Sequence, residues 1–263
     1  MSHIEGVFKE LKSRGRKALI TYIAAGDPHL SVSKEIIWQL IENGADIIEL
    51  GVPFSDPTAD GPVIQAASQR ALKTGISLAD IFGLVEEVRQ VSQIPLILFS
   101  YYNPLFVLGT KKIIQRAKEA GVDGLLVVDL PYEEAGELKR YTDQMDLDFI
   151  FLLAPTSDDA RIKMISQKAR GFLYYISMTG VTGSSHSFSQ FKEEDINRIK
   201  KYTDLPVAIG FGISTPEQAQ VVGKSADGVV VGSAIVRIIE KNRNSQQLLK
   251  KVGEFTAQLR KVL

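Results

Sequence analysis

The 263-residue sequence contains no cysteine. Disulfides, thiolate metal sites and a cysteine nucleophile are therefore excluded. Its three histidines, His3, His29 and His186, are scattered, so a histidine-built metal centre is not expected. Neither charge sign is in excess, with 31 Lys and Arg against 31 Asp and Glu. That balance argues against nucleic acid as a partner. No apolar run approaches the roughly 18 residues of a membrane-spanning helix, so no membrane partner is expected. The opening residues, Met1 to Glu10, lack the apolar core of a signal peptide, and the expectation is a cytoplasmic protein. A small anion held by backbone N–H groups is not excluded, because such a site needs no basic patch.

Short apolar runs recur along the whole chain. They predict strands near Ala18–Ala24, Asp46–Leu50, Pro95–Ser100, Gly124–Val128, Asp148–Leu153, Phe172–Ile176, Pro206–Gly210 and Gly228–Val231. These runs mostly do not alternate with polar residues, as expected of parallel strands covered on both faces. Stretches with helical spacing lie between them: Ile36, Ile37, Leu40 and Ile41 form one stripe, and Ile81, Leu84, Val85 and Val88 another. Helix-start signals stand at Ser77, at Thr156-Ser157-Asp158 and at Thr215-Pro216-Glu217.

Eight strands alternating with helices in a chain of this length suggest an α/β fold, a (β/α)8 TIM barrel. An open doubly wound sheet is the alternative. It is weakened because no Gly-rich dinucleotide fingerprint follows the first strand. No linker or break in composition appears, so residues 1–263 are expected to form a single domain. Extra helices are expected at Ile4–Lys12, placed to plug the barrel bottom before strand 1, and at Pro62–Lys73 after strand 2. A second oversized unit holds the polar Gly/Ser-rich stretch Ser177–Ser189 after strand 6. Both insertions follow C-terminal strand ends, the face on which barrel enzymes build their sites.

Glu49 is the chemical anomaly: a carboxylate in the buried-strand pattern Ile47-Ile48-Glu49-Leu50. Desolvation would raise its pKa and suit it to acid/base work; the bland alternative is a structural Glu bonded to backbone or a lysine. Asp56 and Asp60 follow in one loop, where each could also be a turn former. Gly210-Phe211-Gly212-Ile213-Ser214 and Gly232-Ser233-Ala234 follow strands 7 and 8, the usual phosphate site of such barrels. Ser233 is expected to cap the helix there and donate to phosphate. Gly180-Val181-Thr182-Gly183 could close over the same ligand. Tyr22, Phe99, Tyr101, Tyr174 and Phe211 lie near strand ends on that face, and some should line the mouth. These residues describe a barrel enzyme with working carboxylates, a phosphate clamp and an apolar pocket. A different phosphosugar epimerase or isomerase, or a barrel kept as a regulatory subunit, stays open.

The segment Ile47–Pro62, IIELGVPFSDPTADGP, resembles the signature of the tryptophan synthase alpha chain family. The similarity extends to Ala25-Gly26-Asp27-Pro28, Tyr101-Tyr102-Asn103-Pro104, Asp129-Leu130-Pro131, Gly180–Gly183, Gly210–Ile213 and Val231–Ala234. The resemblance implies retro-aldol cleavage of indole-3-glycerol phosphate to indole and glyceraldehyde 3-phosphate, with no metal or organic cofactor on this chain. It implies Glu49 as acid/base and Asp60 as the group that stabilises positive charge at the indole nitrogen. It implies that Gly183, Gly212, Gly232 and Ser233 hold the phosphate, with Thr182 beside them. Phe211, Tyr174, Tyr101 and Leu126 would lie near the indole or glycerol. It further implies a beta chain carrying pyridoxal phosphate, an α2β2 heterotetramer, and indole passed between sites. The loop with Asp56 and the region of Asn103-Pro104 would face that partner, and Ser177–Ser189 would act as a lid that orders on ligand binding. Met178 stands where many relatives carry Arg and is left out of the site.

Overall fold

A computed structural model describes residues 1–176, 192–210 and 212–263. In chain order its elements are α1 (His3–Ser13), β1 (Ala18–Ala24), α2 (Leu30–Glu42), β2 (Ile47–Gly51), α3 (Pro62–Lys73), α4 (Leu78–Arg89), β3 (Leu96–Ser100), α5 (Tyr102–Phe106), α6 (Thr110–Ala120), β4 (Gly124–Val127), α7 (Gly136–Gln144), β5 (Asp148–Leu153), α8 (Asp159–Lys168), β6 (Leu173–Ile176), α9 (Glu193–Ile199), β7 (Val207–Gly210), α10 (Pro216–Gly223), β8 (Gly228–Val231), α11 (Ser233–Asn242) and α12 (Leu248–Lys261). A short 3-10 turn, Tyr132–Glu134, precedes α7. The strands pair in parallel from β1 to β8, and β8 closes on β1. The fold is the expected (β/α)8 barrel, and the open sheet is excluded.

Three strands have the expected bounds, β2 is shifted by one residue at both ends, and the other four differ by one residue at one end. The late starts of β3 and β7 have a simple cause. Pro95 and Pro206 have no N–H, so they only accept from neighbouring strands, Ile48 N–H at 3.0 Å and Leu173 N–H at 2.8 Å.

Each strand is apolar on both faces for two reasons. Ile20 and Tyr22 on β1, Ile47 on β2, Ile97 and Phe99 on β3, Leu126 on β4, Ile150 on β5, Tyr174 on β6 and Val230 on β8 form an inner cluster. The intervening residues, such as Leu19, Ile48, Leu50 and Leu98, pack with Ile36, Leu40, Ile81 and Val85 of the covering helices. Helix α1 plugs the bottom, as expected. Ile4 and Phe8 join the inner cluster, and the Phe8 ring lies 5.5 Å from Phe172. A capping box between Ser2 and Glu5 starts this helix.

The bottom rim carries a repeat that hydrophobic patterning does not reveal. Asp46, Asp123 and Asp227 stand just before β2, β4 and β8. Each accepts the backbone N–H of a residue opening the preceding strand: Leu19 at 2.7 Å, Leu96 at 2.8 Å and Val207 at 3.0 Å. Each is paired with a cation, Arg260, Arg89 and Lys200 respectively. Charge-assisted bonds of this kind fix strand register at the face of the barrel that carries stability.

Helix starts follow the local signals. Ser77 forms a capping box with Asp80, and Thr215 caps α10 with Pro216 as its first residue. In the Thr156–Asp158 signal it is Asp158 that caps α8. Among the described residues no helix is long and apolar enough to cross a membrane.

Candidate active site

The inward parity of β2 aims Glu49 into the barrel. Its Cα pairs with Tyr22 on β1 and Ile97 on β3. The residue is 1% exposed, and among the described residues neither carboxyl oxygen has a hydrogen-bond partner. The backbone or lysine partner of a merely structural Glu is therefore not found there. Burial with nothing to offset it pushes the carboxyl up to about 8. Near neutral pH Glu49 is mainly protonated, and among the described residues no neighbour bonds to its carboxyl.

Asp60 sits in the loop after β2, and its carboxylate accepts a hydrogen bond from the Tyr101 hydroxyl at 3.0 Å. The Tyr101 oxygen itself accepts the Ala59 N–H at 2.9 Å. The Gln65 side-chain amide on α3 holds the loop by donating to the Asp60 carbonyl at 2.8 Å. Burial pushes the Asp60 carboxyl up to about 6, the Tyr101 bond opposing it. At pH 7 one carboxyl is thus mainly charged and the other mainly protonated, the division of labour that acid/base sites use. Asp56 is exposed, and its backbone carbonyl accepts the Thr58 N–H at 2.9 Å; it shapes the turn.

Tyr22 and Tyr174 lie within electrostatic reach of both acids. Both are buried, and both hydroxyls are held well above the usual phenol range, first by burial and then by the charges of Asp60 and Glu49. Glycine at two strand ends makes room for these rings. A Cβ on Gly51 would lie 2.5 Å from Tyr22 Cζ, and one on Gly210 would lie 2.5 Å from Tyr174 Cζ. Phe99 meets the Tyr22 ring edge-on at 5.1 Å, and Leu126, paired with Phe99, is fully buried beside it. Phe54 packs on Tyr101 at 5.2 Å. Tyr22 was one of the strand-end aromatics from which the mouth was expected to be lined, but not one that the resemblance places near the substrate. The available signal was its parity: it shares the inward face of β1 with Ala18 and Ile20.

Across the mouth, Gly212 follows β7 with a left-handed φ of +83°, a conformation that favours glycine. Gly232 is the N-cap of α11, and Ser233 is the first helical residue. The expectation that Ser233 caps this helix is thus corrected: the extended end of β8 runs straight into the helix, and no side chain caps it. The N–H groups of its first turn have no intrahelical acceptors and point toward the positive end of the helix dipole. Ser214 is engaged locally, its N–H and hydroxyl donating to the Gln218 side chain at 2.7 and 3.0 Å. Gly183, Thr182 and Phe211, and the Ser177–Ser189 stretch with Met178, lie outside the described residues. Among the described residues no group of three or more His, Asp or Glu side chains could hold a metal ion.

Comparison with known proteins gives the chain's family. The family profile described as "Tryptophan synthase alpha chain" matches residues 8–263. A tryptophan synthase alpha chain from Geobacter sulfurreducens is 50% identical over 263 residues, covering 100% of this chain and 99% of its own. One from Thermoanaerobacter sp. (strain X514) is 46% identical over 100% of both. Among solved structures, tryptophan synthase subunit alpha from Legionella pneumophila superposes with a TM-score of 0.91 at 37% identity, covering 100% of this chain and 98% of that one. A Mycobacterium tuberculosis tryptophan synthase structure gives 0.90 at 34% identity over 99% and 98%. The chain belongs to the tryptophan synthase alpha chain family.

Proposed function

We propose that the chain is a lyase of tryptophan biosynthesis that cleaves indole-3-glycerol phosphate to indole and glyceraldehyde 3-phosphate. The observation that carries this reading is the pair Glu49 and Asp60, one carboxyl buried and one half-buried, which both act electrostatically on Tyr22 and Tyr174 and whose pKa values, pushed up to about 8 and about 6, leave them in different proton states near neutral pH. Protonated Glu49 delivers its proton to indole C3. The positive charge that develops toward the ring nitrogen is stabilised by the Asp60 carboxylate, an interaction strengthened where water is excluded. Glu49, now a carboxylate, takes the proton of the glycerol hydroxyl next to the breaking bond. The C–C electrons return to the ring, so indole and the aldehyde leave and Glu49 is protonated again. No cofactor is needed for this sequence.

Tyr22, Phe99, Leu126 and Tyr174 would flank the substrate, with Tyr101 holding Asp60 and Phe211 nearby. Gly212, Gly232 and Ser233 would receive the phosphate on backbone N–H groups, with Gly183 and Thr182 closing over it. Met178 is not assigned a contact.

Membership of the family implies a beta chain as partner. We assign the docking face to the Asp56 loop and the segment after Asn103-Pro104. Phe106, Val107 and Leu108 there are 58%, 71% and 50% exposed, an apolar run that a partner would cover. An α2β2 assembly, a cytoplasmic location, one barrel domain over residues 1–263, and lid behaviour of Ser177–Ser189 belong to the same reading. The test is direct. The chain incubated with indole-3-glycerol phosphate should release indole, and Glu49→Gln should lower the rate at least about 100-fold with the fold intact. A phosphosugar epimerase or isomerase would release none, and a purely regulatory barrel would stay inactive with and without its partner.

A further inference from the structure

Strand β1 lies between β2 and β8 in the barrel. The units after these two neighbours both carry an additional helix, α3 before α4 and α11 before α12. Helix α3 begins two residues after Asp60, and α11 begins at Ser233. The two ends of the proposed substrate are therefore met by loops attached to these two added helices. The loop after β1 reaches between them and presents Asp27, which is 2% exposed.

One guanidinium joins the three elements. Arg70 on α3 binds Asp27 in a bidentate fork, Nε to Oδ1 and Nη2 to Oδ2, both at 2.8 Å. Its remaining nitrogen, Nη1, donates to Glu240 on α11 at 2.9 Å. Asp27 is itself fixed through the backbone: its N–H donates to the Ala24 carbonyl at 3.2 Å, and the preceding Gly26 N–H donates to the Ser33 hydroxyl at 2.9 Å. The fork leaves the guanidinium little freedom, and a lysine could not span both carboxylates in this way.

We propose that Arg70 is a positioning residue that sets the separation between the Asp60 loop and the N-terminus of α11. It thereby matches the site to substrates whose ring and phosphate lie that far apart. This rests on the function proposed above. Arg70 touches neither reacting atoms nor phosphate. Its effect is on the registry of two recognition points, and errors of about 1 Å in such registry cost up to about 100-fold in rate.

The experiment compares the full chain with Arg70→Met, Arg70→Lys, Glu240→Ala and Glu240→Gln. Steady-state cleavage of indole-3-glycerol phosphate is measured with separate calorimetric titrations of indole and of glycerol 3-phosphate, each of which reaches only one end. The expected result is a kcat/KM lowered about 10- to 100-fold, mainly through KM, in Arg70→Met, to a lesser degree in Glu240→Ala and less still in Glu240→Gln. The two fragments should bind within about twofold of the parent. Arg70→Lys should restore Asp27 pairing without restoring KM, and the pH limbs of kcat should not move. Glu240→Ala removes the Nη1 acceptor, which the amide oxygen of Glu240→Gln can still supply, and preserves the Asp27 fork, so it decides the matter if Arg70→Met does not fold. An unchanged KM in Glu240→Ala, or fragment affinities that fall in step with the substrate's, would overturn the positioning role. Absence of indole release by the parent would instead overturn the proposed reaction.

Discussion

Replacing Glu49 by glutamine should make the protein's stability relative to the parent rise with pH while stopping the reaction. The carboxyl titrates at about 8 in the folded state against 4.5 for the free group, because its oxygens are buried without partners among the described residues. The sign follows from linkage. Below pH 4.5 both states hold the proton and Glu49 has no pH-dependent cost. Between 4.5 and 8 only the unfolded chain releases it, so the folded state loses about 1.4 kcal/mol per pH unit. At pH 7 the loss is about 3 kcal/mol, and above pH 8 it levels off. Glutamine cannot ionise and escapes this loss. Its own unpaired amide adds a cost, but one independent of pH. Urea unfolding of parent and Glu49→Gln at pH 5, 7 and 8.5 reads the difference. The variant's relative stability should climb by several kcal/mol from pH 5 to 8.5. A difference that does not change with pH would mean that Glu49 ionises normally, through a counter-charge or water, and the argument from desolvation would fail.

The same environment predicts a bell-shaped pH profile for kcat/KM, with limbs near 6 and 8 from Asp60 and Glu49. Tyr101→Phe removes the donor that opposes the upward shift of Asp60, so the acidic limb should move up by about one pH unit, as kcat/KM profiles would show. Gly51→Ala would force the Tyr22 ring away from β2 into the cavity, and KM should rise about tenfold while the circular dichroism spectrum is unchanged. Phe8→Ala empties part of the plug and should cost about 3–5 kcal/mol in urea unfolding, with kcat per folded molecule unchanged because the plug lies at the opposite end.

Much of this architecture was legible because the strands are covered on both faces. Ile, Val and Leu runs between amphipathic stripes leave few other folds, and β1, β5 and β8 appear at their expected bounds. Proline at 95 and 206 trimmed two strand starts for want of an N–H, a detail readable in principle. Glu49 stood out as a carboxyl in an apolar run, and Asp60 gained meaning only through the resemblance, since Asp-Gly is also a turn signal. What patterning could not show were contacts between residues far apart in the chain. The Tyr101–Asp60 bond joins residues 41 apart, and the Arg70–Glu240 bond residues 170 apart. The Asp46, Asp123 and Asp227 repeat is not visible in the sequence, because an aspartate at a strand edge or in a loop carries no mark of this role until the neighbouring strand supplies its N–H. Ser233 was misplaced by one position, since a strand that enters a helix directly leaves the cap to the glycine between them.

The central claim is that one ligand spans the two acids and the opposite backbone N–H groups. The most direct measurement is a crystal structure of Glu49→Gln with indole-3-glycerol phosphate. The account predicts the indole ring between residue 49 and Asp60, its nitrogen toward the Asp60 carboxylate, and the phosphate on the N–H groups around Gly212, Gly232 and Ser233. A ring bound away from both acids, or a phosphate seated elsewhere, would contradict it.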